Sequence, residues 1–172
     1  MKKLLSLLLV FCSLALISVN VAATDQFGLK DFSGKATSLD DHIGKGKWRV
    51  VVLWASDCHA CNQEAEQYIQ FHEEYKDKHI ELLGISLDGE KKRDDAKDFI
   101  KRHDVTFPNL IGEFNSVVTL YESLSGGQWL GTPTILVFNP KGELKAAQPG
   151  AVPTGLIEEF INGQVASATS TK

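Results

Sequence analysis

The sequence is short of cysteine, methionine and basic charge. Three cysteines and one methionine occur in 172 residues. Cys12 lies inside an N-terminal apolar run, so the rest of the chain holds only Cys58 and Cys61. One closely spaced pair does not staple a scaffold, and redox work accounts for it better than stability. A structural zinc site needs more Cys or His ligands than this pair. The chain adds only the scattered His42, His59, His72, His79 and His103. A c-type haem requires His directly after the second Cys, and Asn62 stands there. Lys and Arg number 18 against 22 Asp and Glu, a net charge of −4. That balance argues against nucleic acid or an anionic membrane as a partner. The longest apolar run, Leu4 to Val19, is 16 residues, short of the roughly 20 of a spanning helix. No internal repeat and no low-complexity core segment is visible.

The N-terminus reads as a secretory signal peptide, residues 1–23. Met1-Lys2-Lys3 precedes the apolar run, and Val21-Ala22-Ala23 offers the small residues of a cleavage site after Ala23. The rival reading is an uncleaved membrane anchor. Cys12 follows the bulky Phe11 in mid-run, unlike the cysteine of a lipoprotein signal. The remaining chain, 24–172, is 149 residues with a net charge of −6, enough for one domain with a sizeable core. The expected location is exported, periplasmic or otherwise extracytoplasmic. The tail 163–172 is small and polar and is expected to fray or be disordered.

The chain is organised around Val50-Val51-Val52-Leu53-Trp54-Ala55-Ser56-Asp57-Cys58-His59-Ala60-Cys61. Five apolar residues, three of them β-branched, predict a strand buried on both faces. Ser56 and Asp57 are good helix N-cap residues, and a helix-permissive run follows from Asn62. Cys58 therefore falls where a strand ends and a helix begins, with Cys61 one turn inside. The unpaired N–H groups and dipole of a helix start favour a thiolate. Residues i and i+3 share a face, so the two sulfurs can reach disulfide distance. Cys58 is then the attacking thiol and Cys61 the resolving thiol.

Around this stretch the pattern alternates strands and helices. Phe27–Phe32 reads as a short strand, followed by an Asp31–Gly34 turn. Ser38 starts a helical turn. The helix from Cys58 is expected to reach Tyr75, with Tyr68, Phe71 and Tyr75 on one face. Ile80–Leu87 reads as a buried strand and Glu90–His103 as a surface helix with a stripe of Ala96, Phe99 and Ile100. Phe114, Val117, Val118 and Tyr121 mark a core-facing helix ended by Gly126-Gly127. Thr134–Phe138 is a third buried strand, Asn139–Gly142 a turn, and Glu143–Gln148 a returning antiparallel strand. Thr154 is expected to cap a last helix carrying Leu156, Ile157, Phe160 and Ile161. The sum is an α/β sandwich with a mixed sheet.

Several motifs together resemble a known family. Trp54-Ala55-x-x-Cys58-x-x-Cys61 after a buried strand resembles the thioredoxin active site. Gly131-Thr132-Pro133-Thr134 resembles the thioredoxin-family cis-proline loop. Leu29 to Lys35, of the form L-x-D-x-x-G-K, and Glu64 three residues after the second Cys resemble the exported TlpA/ResA-type thiol–disulfide oxidoreductases. The match spans nearly all of 27–162. Asp57 stands where the family often has Trp, and Glu66 where the subfamily often has Pro. The Pro-x-x-x-Thr/Ser-x-x-Cys pattern of a peroxiredoxin is not met, since Val51 stands at its Pro position and Ala55 at its Thr/Ser position.

The resemblance implies a thioredoxin-like sandwich, with a central mixed sheet between helices and an N-terminal β-hairpin extension. It implies exchange of the Cys58–Cys61 disulfide with protein partners, without a cofactor or metal, and with electrons supplied by another dithiol protein. Pro133 is then cis, and Thr132 offers its backbone to a substrate chain. Glu64 would take the proton of Cys61 during resolution. Trp54 and Trp129 are candidates for substrate contact. Asp57 and His59 would modulate the Cys58 thiolate. The expected direction is reductant, nearer a thioredoxin at about −270 mV than a strong oxidant at about −120 mV. The competing readings are a disulfide oxidase or isomerase, a metal-binding or metallochaperone module using the two thiols, and a catalytically idle adaptor.

Overall fold

The computed structural model describes residues 26–170. The expected signal segment, 1–23, lies outside the described residues. Six strands form one mixed sheet: β1 (Lys30–Asp31), β2 (Trp48–Trp54), β3 (Ile80–Ser86), β4 (Asn109–Ile111), β5 (Thr134–Phe138) and β6 (Leu144–Pro149), in the order β1-β4-β3-β2-β5-β6. β2 and β3 run parallel, as do β3 and β4, while β5, β6 and β1 are antiparallel to their neighbours. Four helices flank the sheet: α1 (His59–Tyr75), α2 (Arg93–Arg102), α3 (Phe114–Ser125) and α4 (Thr154–Ser170).

All seven residues of β2 are buried, because the strand sits between two cores. Val50, Val52 and Trp54 pack with Tyr68 and Phe71 of α1, Ala96 and Phe99 of α2, and Ile157 and Ile161 of α4. Val51 and Leu53 point the other way, toward Val117, Leu120 and Tyr121 of α3. Alternation along a strand sends successive side chains to opposite faces. A strand that must satisfy both faces therefore reads as a continuous apolar run.

Several local expectations change in the folded chain. The first strand shrinks to Lys30–Asp31, with a single bridge to Ala36. Gly28 takes a left-handed φ of 64°, and the Asp31 carboxylate accepts the N–H groups of Ser33 and Lys35, so side-chain bonds replace ladder bonds. β4 has no counterpart in the sequence reading; it is three residues between Pro108 and Gly112, too short to show a period. Phe114 and Leu156 belong to helical stripes but are 54% and 56% exposed: both stand at the first turn of a helix, Phe114 on an open cleft and Leu156 on an open groove over β5 and β6. Thr154 is the first residue of α4 and not its cap; its N–H reaches Gln67 Oε1 at 3.3 Å. The helix also continues past Gly163 to Ser170 where fraying was expected. No residue after Gly163 opposes a helix there, and the Ser167 hydroxyl donates back to the Gly163 carbonyl at 2.9 Å. Gly126 ends α3 in a left-handed conformation with φ of 67°, as a C-terminal glycine does.

The buried face of α1 carries one polar misfit. His72 is 7% exposed, its ring stands edge-on to Phe107 at 5.9 Å, and Nδ1 has no hydrogen-bond partner among the described residues. Burial holds its pKa below the ordinary histidine value. Lys76 and Arg49 push the same way, and Glu73 and Glu81 oppose. A proton therefore binds the unfolded chain before the folded one. The stability that neutral His72 supports is full above about pH 6.5 and is lost as pH falls below it toward the folded pKa. Urea midpoints are expected to drop between pH 7 and pH 5. His72→Gln should flatten that slope in part, with His42 and His103, both also shifted down by burial, keeping the rest. An unchanged slope in the variant would remove His72 from the account.

Candidate active site

β2 delivers the chain to the site. Trp54 ends the strand, its Nε1 donating to Asn109 Oδ1 at 2.9 Å and its ring stacked on Phe99 at 4.4 Å. Trp54 is only 3% exposed, so it supports the site from behind and offers no surface to a partner. The next residues turn. Asp88, just beyond β3, accepts the Ser56 N–H at 3.0 Å on one oxygen and the Ser56 hydroxyl at 2.8 Å on the other. The buried Ser86 hydroxyl donates to the same carboxylate at 2.7 Å. The loop is thus clamped to the end of the neighbouring parallel strand.

Asp57 was expected to cap α1, but Cys58 does so, with φ −76° and ψ 113°. Its Sγ accepts the Cys61 N–H at 3.1 Å. Sulfur takes the place that a Ser or Asp oxygen fills at other helix starts, and this N–H is one of the donors left free by the helix. Cys58 and Cys61 are joined as a disulfide with Sγ–Sγ 2.12 Å and Cα–Cα 5.2 Å. Cys58 is half-buried, whereas Cys61 is 4% exposed. Behind Cys61 lies a cavity of about 20 Å³ lined by Trp54, Tyr68, Phe99 and Pro133 among others. Cys58 is therefore the more accessible of the two, and Cys61 faces an apolar interior.

Asp57 points outward and meets Lys92 Nζ at 2.7 Å. The hydrogen bond and charge of Lys92 hold the Asp57 carboxyl below its ordinary range, and Asp57 raises Lys92 in turn. His59 is exposed. Glu64 is half-buried one turn after Cys61, and its charge adds to the burial that raises the Tyr68 phenol.

The Thr132–Pro133 peptide bond is cis. The loop is tied down by Thr134 Oγ1, which donates to the Gly131 carbonyl at 2.6 Å, and by the Gly150 N–H, which donates to the Pro133 carbonyl at 2.8 Å. Among the described residues, none hydrogen-bonds the Thr132 backbone. Thr132 lines an open cleft of about 380 Å³ with Ala55, Asp57, Lys92, Phe114 and Trp129. Trp129 is half-buried, edge-on to Tyr121 at 5.3 Å. The fold thus brings Cys58, Cys61, Thr132, Pro133 and Trp129 to one end of the sheet. Lys92, Asp88 and Asn109 escaped the sequence reading, since they lie some thirty to fifty-five residues from their partners and no local pattern marks them; Ser86 escaped it too, since it acts through Asp88. Among the described residues, no three His, Cys, Asp or Glu side chains gather as a metal site.

Comparison with known proteins agrees with this geometry. The AhpC/TSA family matches residues 19–147. The thiol-disulfide oxidoreductase ResA of Oceanobacillus iheyensis is 30% identical over 145 residues, covering 81% of this chain and 70% of that protein. The sporulation thiol-disulfide oxidoreductase A of Bacillus subtilis is 24% identical over 135 residues, covering 78% and 76% respectively. Among solved structures, a thiol:disulfide interchange protein from Bacteroides sp. superposes with a TM-score of 0.62 at 25% identity, covering 77% of this chain and 83% of that one. The architecture is thioredoxin-like, a six-stranded mixed sheet between four helices.

The Lys92–Asp57 pair generates a prediction. Asp57 disfavours a thiolate at Cys58, and Lys92 offsets it. Lys92→Ala should slow alkylation of reduced Cys58 at pH 7 by roughly two- to fivefold, the scale of an exposed ion pair. The difference should shrink in about 1 M salt and in an Asp57→Asn background, where Lys92 loses the carboxylate that holds it. A Lys92→Ala effect of full size in that background would show that Lys92 acts independently of Asp57.

Proposed function

The chain belongs to the AhpC/TSA family and is a thiol–disulfide oxidoreductase, and we propose from that premise that it acts outside the cytoplasm as a reductant of protein disulfides. The observation that carries the mechanism is the unequal exposure of the two sulfurs at the start of α1. The reduced protein attacks with the Cys58 thiolate, which the helix N-terminus and the Cys61 N–H stabilise. One substrate sulfur leaves as a thiolate and the other is held on Cys58. Cys61 then attacks Cys58 Sγ, re-forms the 58–61 disulfide and expels the second substrate thiolate. Another dithiol protein restores the reduced pair.

Burial disfavours a thiolate at Cys61, so its attack needs a proton acceptor. Glu64 is the acceptor in this reading: it is half-buried and one helical turn from Cys61. The unengaged backbone of Thr132 receives the extended substrate chain as a strand would, and Trp129 forms an apolar rim. The direction follows from electrostatics. Lys92 is occupied by Asp57, and among the described residues no cation is hydrogen-bonded to Cys58. The thiolate is then only mildly stabilised, and so is the reduced form. The signal pattern of residues 1–23 supports export, to a compartment where disulfides persist.

The test of direction and roles combines two measurements. Equilibration with a dithiol buffer at pH 7 should give a potential nearer about −270 mV than about −120 mV, and a value above about −180 mV would make the protein an oxidase or isomerase. Cys61→Ala should accumulate reductant-sensitive adducts on non-reducing gels, while Cys58→Ala should not; the reverse pattern would exchange the two roles.

Glu64→Gln removes the proton acceptor and leaves the shape. The resolution step should slow by about 10²-fold with the melting temperature held. Unchanged rates across pH 6–8 would leave Glu64 a helix surface residue.

A further inference from the structure

A single side chain on the first turn of α1 holds the active-site loop from behind. Asn62 Nδ2 donates to the carbonyl oxygens of Ser56 at 3.2 Å and Cys58 at 2.8 Å. The Asn62 backbone N–H reaches the same Cys58 carbonyl at 3.1 Å. At the other end of the amide, Oδ1 accepts from the Arg102 guanidinium at 2.9 Å and from His103 Nε2 at 2.9 Å. The amino group faces two oxygens that only accept, so the amide has one sensible orientation. Oδ1 also only accepts, so His103 carries its proton on Nε2. Every hydrogen-bonding capacity of the carboxamide is used.

The far anchor is itself fixed by packing. Arg102 ends α2, and His103 follows it. The His103 ring lies 4.6 Å from Phe99, the Arg102 guanidinium 5.9 Å from the same ring, and Phe99 stacks on Trp54 at the end of β2. The loop 55–58 is thus closed into a circuit: Trp54, Phe99, His103, Asn62 and back to Cys58.

We infer that Asn62 is a positioning residue for Cys58, and that Arg102 and His103 hold it in the rotamer that does this. The inference rests on reading Cys58 as the attacking thiol. Asn62 touches no reacting atom. It acts by holding the Cys58 backbone in its N-cap conformation, the one in which Sγ meets the Cys61 N–H at 3.1 Å. Without the amide, the two loop carbonyls lose their shared donor, the loop relaxes, and the sulfur loses the N–H that favours its charge.

The test is alkylation of the fully reduced protein by iodoacetamide across pH 5–10, with the modified cysteine identified by peptide mapping and melting temperatures taken in parallel. Asn62→Ala should raise the midpoint of Cys58 modification by about one pH unit, which is about tenfold less thiolate at pH 7. His103→Ala should shift it in the same direction by less, and His103→Gln, which keeps a donor, should restore the wild-type midpoint. The charged groups around the loop, namely Asp57, His59, Glu64, Asp88, Lys92 and Arg102, are kept in all these variants, and burial lowers the His103 pKa so that its ring is neutral near pH 7, so the shift there reports loop geometry. The His103 pair keeps the inference testable if Asn62→Ala does not fold. A midpoint within about 0.2 units of wild type in the Asn62→Ala or His103→Ala protein would overturn it and leave Asn62 a helix-stabilising residue only, whatever the melting temperature does. Modification of Cys61 in the wild type would instead overturn Cys58 as the attacking thiol, and the peptide map separates that failure from the first.

Discussion

The hydrogen bond from the Cys61 N–H to Cys58 Sγ is the constraint on which the site depends. A helix that starts immediately after a buried strand presents unpaired N–H groups at a fixed place. Here a sulfur answers one of them. That bond sets the first cysteine outside the helix and the second inside it, and the two acquire different environments from one local geometry. Much of the nearby structure restrains this junction. Asp88 grips Ser56 from the end of β3, and Asn62 grips the Ser56 and Cys58 carbonyls from within α1.

The division of labour between the sulfurs is a matter of dielectric. Cys58 is half-buried beside the dipole of α1, where negative charge is favoured. Cys61 faces Trp54, Tyr68 and Phe99 across a small apolar cavity, where charge is disfavoured. In the proposed mechanism the first thiol attacks, and the second needs its proton removed at the moment of reaction. The rim adds a correction to this scheme. Asp57 next to Cys58 would oppose the thiolate, but Lys92 sits on Asp57 and neutralises much of its field.

Much of the architecture was legible in the chain. β2 and β5 are rich in β-branched apolar residues, and β3 is apolar at most positions, because each is covered on both faces. The unusual continuity of Val50–Trp54 is the direct mark of that burial. The failures have a common cause. β4 is too short to carry a period. The stripes of α3 and α4 identify a face correctly in Val117, Tyr121, Ile157 and Ile161. They do not tell which part of that face stays uncovered, and so Phe114 and Leu156 remain exposed on an open cleft and an open groove. Trp54 was a candidate for substrate contact through the family resemblance alone; its indole N–H meets Asn109 inside instead.

The sequence by itself determined that two cysteines, three apart, stand at a strand-to-helix junction. It could do so because an apolar run, a polar break and a helix-permissive stretch are all local and contiguous. It also marked the loop at Pro133, through residues adjacent in the chain. Only the tertiary structure decided how deep Cys61 lies, which carboxylate clamps Ser56, which cation meets Asp57 and which pair braces Asn62. Those contacts join residues 32 to 41 positions apart. They are set by the parallel register of β2 and β3 and by the packing of α2 on Trp54 through Phe99. No spacing along a single chain encodes such a register, because a strand's pattern specifies which face is buried and leaves open what the neighbouring element brings to its end.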